Sequence, residues 1–116
     1  MDGIFLRFYM REDQRHHHQL AWEWLLHQAN KMGIQGGSAF KSMAGFGRHH
    51  KLHEAHFFEL TGLGVEVEFV VTTEEADKLL ALLAQDKIRL FYSTSPVHFG
   101  VINPDVKDHP PGFIST

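Results

Sequence analysis

The chain has 116 residues, 43% of them hydrophobic and 22% charged, with a formal net charge of −3. That length supports one hydrophobic core rather than two, and the acidic balance disfavours a general binder of nucleic acid or anionic membrane. No cysteine is present, which removes disulfides, thiolate catalysis and cysteine zinc sites and fits a reducing compartment.

In chain order, the first predicted element is a strand from Ile4 to Arg11, where Ile4, Leu6, Phe8 and Met10 alternate with Phe5, Arg7, Tyr9 and Arg11. Broken by Arg7, this run is too short for a membrane span and unlike a signal peptide. A cytoplasmic protein without direct membrane insertion is therefore expected. After the polar break at residues 11–15, a helix is predicted from about His17 to Met32. Its buried face would carry Ala21, Trp22, Leu25, Leu26, Ala29 and Met32, with Trp24 near the border of that face. Gly33 supplies a left-handed stop.

Gly36-Gly37 opens an extended segment, Ser38 to Phe46, and Gly45-Phe46-Gly47 marks a change of course. Arg48 to His56 is basic and histidine-rich and reads as a loop, with a helical turn as the alternative. Phe57 to Leu60 begins an extended return, and Val65 to Val71 is the cleanest alternating strand. The second helix starts at a capping box, Thr72 with Glu75, and continues through Ala76, Leu79, Leu80 and Leu83. A last strand is predicted from Ile88 to Ser95, with a short extended piece over Pro96 to Ile102. Residues 1–102 read as one domain and residues 103–116 as a flexible, proline-containing tail.

This order of elements is that of a ferredoxin-like βαββαβ sandwich, an α+β fold with both helices on one face of an antiparallel sheet. Each strand also carries apolar residues at the other parity: Phe5 and Tyr9, Met43 beside Phe40, Val70, and Phe91. A second apolar face in so small a domain predicts an oligomer. The alternative is a scatter of exposed apolar residues without consequence.

Ala44-Gly45-Phe46-Gly47-Arg48, the histidines that follow, and Phe57-Phe58-Glu59-Leu60 resemble the signature stretch of the PII-like family catalogued as "domain of unknown function 190". Gly36 to Lys41 and Val65 to Glu75 resemble that family too, so that the likeness spans Ile4 to Val101. The resemblance implies a ferredoxin-like fold, a PII-type homotrimer, and a long loop between the second and third strands near clefts between subunits. PII proteins bind adenine nucleotides in such clefts and signal through that loop. This chain departs from them at Ala84-Gln85-Asp86-Lys87-Ile88, which lacks the glycines of their phosphate loop, and its only tyrosines are Tyr9 and Tyr92.

Two candidate sites follow. Gly45, Phe46, Gly47, Arg48, His49 and Lys51 would hold a small anionic ligand, with adenine nucleotide as the candidate: glycines admit close backbone approach, and Arg48 and Lys51 supply charge. The competing reading is that the glycines only allow the chain to bend. His50, His53 and His56, recurring every three residues among the 10 histidines of the chain, would form a zinc or nickel site if the segment were helical. His16 to His18, at the predicted helix start, read as solvated surface, where adventitious nickel or zinc binding is all that is expected. No nucleophile-elbow serine or carboxylate pair stands out, so the chain is read as a non-enzyme. The function expected is ligand-dependent signalling to a target protein through residues 48–56. A divalent-metal-binding trimer is the alternative.

Overall fold

A computed structural model of the chain describes residues 1–46 and 64–108, together with the backbone of 52–54. The elements are β1 (Asp2–Arg11), β2 (Arg15–His16), β3 (Gln19–Leu20), α1 (Ala21–Lys31), β4 (Gly37–Lys41), β5 (Ala44–Phe46), β6 (Leu52–Glu54), β7 (Gly64–Val71), α2 (Thr73–Gln85) and β8 (Phe91–His98). β1 and β7 are central in a sheet of order β4-β7-β1-β8, and all its pairings are antiparallel. That is the ferredoxin-like arrangement.

The period-2 alternation of β1 and β7 builds the core. Leu6, Phe8 and Met10 from β1 and Val65, Val67, Phe69 and Val71 from β7 share one face, and all are buried. α1 brings Ala21, Trp24, Leu25 and Ala29 onto that face, and α2 brings Ala76, Leu79 and Leu83. α2 begins as predicted: Thr72 Oγ1 accepts from the Glu75 amide at 3.1 Å, and Glu75 Oε1 accepts from the Thr72 amide at 2.9 Å. Gly33 ends the α1 segment with φ of +85°, a conformation that glycine adopts without a Cβ penalty.

Several boundaries differ from those read in the sequence. α1 starts at Ala21, four residues after the predicted start, because residues 15–20 form a tight β2–β3 hairpin instead. His17 and His18 at its tip have φ of +50° and +65°, which no right-handed helix contains, and the Ala21 amide donates to Gln14 O at 2.8 Å. With that start it is Trp24 that is buried, while Trp22 is only partly so. The predicted extended run from Ser38 to Phe46 divides into β4 and β5, and β5 pairs with β6 as a separate two-stranded arm.

β8 begins at Phe91 rather than Ile88, because Ile88 and Leu90 pack against the core before the strand starts. Pro96 lies inside β8, opposite Ile4. It is tolerated there because β8 is an edge strand, where a missing amide hydrogen breaks no second ladder. Among the described residues, no helix is long and apolar enough to cross a membrane. Residues 109–116, most of the predicted tail, lie outside the described residues.

Candidate functional site

The helix-free face of the sheet is built by the other parity of the same strands. One row across it is Phe40, Glu66, Tyr9 and Phe91; the next is Ser38, Glu68, Arg7 and Ser93. Val70, Phe5 and Ser95 form a third. Phe40 is 51% exposed, Val70 45% and Phe91 73%, so the apolar second face expected from the sequence exists and is open. Arg7 sits at its centre: Nη2 meets Glu68 Oε1 at 2.7 Å, and the guanidinium lies 5.1 Å from the centre of the Phe5 ring. The Tyr9 and Phe91 rings are 5.4 Å apart. The face is thus apolar at its flanks and ionic in the middle, and its exposed apolar side chains are of the kind that mark interaction surfaces.

The start of edge strand β4 is flanked by a cleft on each face of the sheet. On the helix side a cleft of about 250 Å³ lies between Leu26, Asn30, Ile34 and the Phe69 ring. On the open side a cleft of about 430 Å³ is lined by Phe5, Ser38, Glu68 and Val70. Gly36, Gly37 and Phe69 belong to both. A Cβ at Gly37 would lie 2.4 Å from the Phe69 ring, so only glycine lets β4 run this close to the core. The second cleft shares Phe5 and Val70 with the open face, and a body covering that face also walls the cleft.

A second constellation lies at the β2–β3 hairpin. His16 Nε2 and His17 Nε2 approach the same atom, Asp86 Oδ2, at 2.5 and 2.7 Å. Asp86 is the C-cap of α2, and Lys87 after it takes φ of +58°, the left-handed position where glycine is usual. His16 is mostly buried and meets the ring of buried Trp24 edge-on, with centroids 4.4 Å apart. His17 and His18 fill both positive-φ positions of a two-residue turn that normally takes Asn-Gly. Such backbone costs about 1 kcal/mol per residue. Hydrogen bonds from His16 and then His17 hold the Asp86 carboxyl below the usual carboxylate range. The side chains of His16, His17 and Asp86 are thereby gathered with one ligand atom each within 4.8 Å of one another.

Residues 3–93 match the family DUF190, described as "Uncharacterized ACR, COG1993". The chain belongs to this family. A curated relative, the UPF0166 protein of Aquifex aeolicus, is 28% identical over 76 residues, covering 65% of this chain and 72% of the relative. Solved structures with the same fold include a protein of Thermus thermophilus assigned as PII-like and signalling. It superposes with a TM-score of 0.62 at 14% identity over 83% of this chain and 87% of that one. CPII of Thiomonas intermedia, a nitrogen regulatory PII-like protein bound to ADP, AMP and bicarbonate, gives 0.58 at 14% identity over 86% and 97%. A structure of CPII bound to ADP and bicarbonate gives 0.59 at 16% identity over 87% and 91%. The fold of this DUF190 chain is therefore the PII-like one.

Of the anion-site residues expected from the sequence, Gly45 and Phe46 lie in β5, and Phe46 is exposed. Gly47, Arg48, His49 and Lys51 lie outside the described residues, as do His50 and His56 of the expected metal site. His53 is on β6, its backbone opposite Gly45. Leu52–Glu54 is therefore strand, neither the loop nor the helical turn considered for it. His16 and His17 are not the solvated helix start expected of them. Sequence reasoning missed Asp86 altogether: its contact with His16 spans 70 positions of the chain, and the only local sign is a polar residue just past the end of a helix. No cluster of three or more metal-competent side chains other than His16, His17 and Asp86 occurs among the described residues.

Proposed function

We propose that this DUF190 protein is a ligand-binding regulator of the PII type, in which copies of the chain associate as a homotrimer through the open sheet face. The observation that carries the reading is the cleft at Gly36-Gly37 that shares Phe5 and Val70 with that face. Association walls the cleft and makes it a site between subunits. Its ligand is a small anion, with an adenine nucleotide as the candidate that the ADP and AMP of CPII suggest. Phe5 and Val70 offer apolar surface to a base, and Arg48 and Lys51, which follow β5 in the sequence, would supply charge for phosphates, with Gly45 to Gly47 giving close backbone approach. Ligand binding would order or release residues 48–56 and so present or withdraw a surface for a target protein. The role is regulatory, not catalytic.

Calorimetric titration with ATP, ADP and AMP, each with and without magnesium, tests this. Saturable binding of one nucleotide per chain is expected in the wild type. It should be lost in the Arg48→Ala/Lys51→Ala variant. Absence of saturable binding by any of the three nucleotides would contradict the reading.

A further inference from the structure

We propose that His16, His17 and Asp86 form a divalent-metal site of zinc class that staples the β2–β3 hairpin to the end of α2. The inference is independent of the nucleotide reading. Two imidazole nitrogens and one carboxylate oxygen are a donor set suited to zinc. Both Nε2 atoms converge on a single oxygen, Asp86 Oδ2, at 2.5 and 2.7 Å, so the three donor atoms are already gathered within 4.8 Å of one another.

Zinc bonds of about 2.0–2.1 Å place tetrahedral ligands about 3.3 Å apart. Opening each of the two N···O separations to that spacing takes less than about 1 Å, and the His17 side chain, 59% exposed, has room to move. His16 is held from behind by Trp24, so one ligand is oriented before any metal arrives. The outer side of His17 faces solvent, which leaves a fourth position for water or for a donor from another molecule.

The hairpin geometry supports this purpose. Asn-Gly would close the same turn without strain. His17 instead occupies a positive-φ position, and its ring reaches Asp86. Gln14 adds a further link to the same region, donating to Arg89 O at 3.4 Å. The hairpin and the segment after α2 are thus tied at two neighbouring points, and the metal would close the tie.

The test is titration of chelator-treated full-length protein with zinc chloride alone, read by calorimetry and by the thermal unfolding midpoint. The wild type should bind one zinc per chain at this site and unfold at a higher temperature with zinc than without. Asp86→Asn should weaken that binding by more than about a hundredfold, beyond the effect typical of residues that only support ligands, and abolish the midpoint shift. His17→Gln, at an exposed side chain, should do the same without loss of fold. His98→Gln, which removes a surface His–Asp pair with Asp2, should leave zinc binding unchanged. Failure of the wild type to bind zinc would overturn the proposal and leave a hydrogen-bonded clasp only. So would binding that persists undiminished in Asp86→Asn and His17→Gln.

Discussion

The two faces of the central sheet are made by the same strands and behave in opposite ways. On the helix side, Leu6, Phe8, Val67 and Val71 are at most 1% exposed, and α1 and α2 close over them. On the other side, Phe40, Val70 and Phe91 stand open beside the Arg7–Glu68 ion pair. Alternation alone produced both faces, because successive side chains of a strand point to opposite sides. The difference is that, among the described residues, α1 and α2 cover one face and no element covers the other. A face that is apolar yet open, with a charged pair at its centre, is the surface that the proposed association would bury. The clefts at β4 lie where the two environments meet.

The largest expected effect comes from breaking the closed face. Leu79→Ala removes a side chain that is 0% exposed at the contact of α2 with the sheet. It should destabilise the protein by about 2–5 kcal/mol, measured by urea unfolding. Gly37→Ala probes the rim between the faces. Its added methyl meets the Phe69 ring at 2.4 Å, so one of them must move, at a cost of about 1–3 kcal/mol, and the same unfolding measurement reads it. Phe91→Glu alters the open face alone. In the isolated chain it should change stability by about 0.5 kcal/mol or less, as surface changes do, while preventing association. If it instead destabilises the isolated chain as much as Leu79→Ala, the distinction between the faces fails.

What was legible in the sequence follows the same division. β1 and β7 were plain because each alternates without interruption, and α2 because Thr72 and Glu75 announce its start. The open face was legible too, since Phe5, Tyr9, Val70 and Phe91 put apolar side chains at the parity that a solvated face would fill with polar ones, although Arg7, Glu66 and Glu68 stand among them. Less could be read where backbone geometry is fixed by partners distant in the chain. The β2–β3 hairpin uses His17-His18 in place of the usual Asn-Gly, so its turn carries no turn signature, and its contact with Asp86 depends on the packing of α1 and α2. Ile88 and Leu90 look like the start of a strand because they are apolar, yet they serve the core. Among the described residues β5 and β6 pair only with each other, so no alternation imposed by the main sheet marks their limits. As for the sites, Gly45 and Phe46 were placed on an extended segment and lie on one, whereas His16, His17 and Asp86 come together only in three dimensions.

Sedimentation equilibrium of the wild type beside Phe91→Glu asks whether the open face joins subunits. The wild type should sediment at three times the 13.3 kDa of the chain and the variant as a single chain. A wild type that sediments as a single chain across the concentration range, or a variant that still forms the trimer, would contradict it.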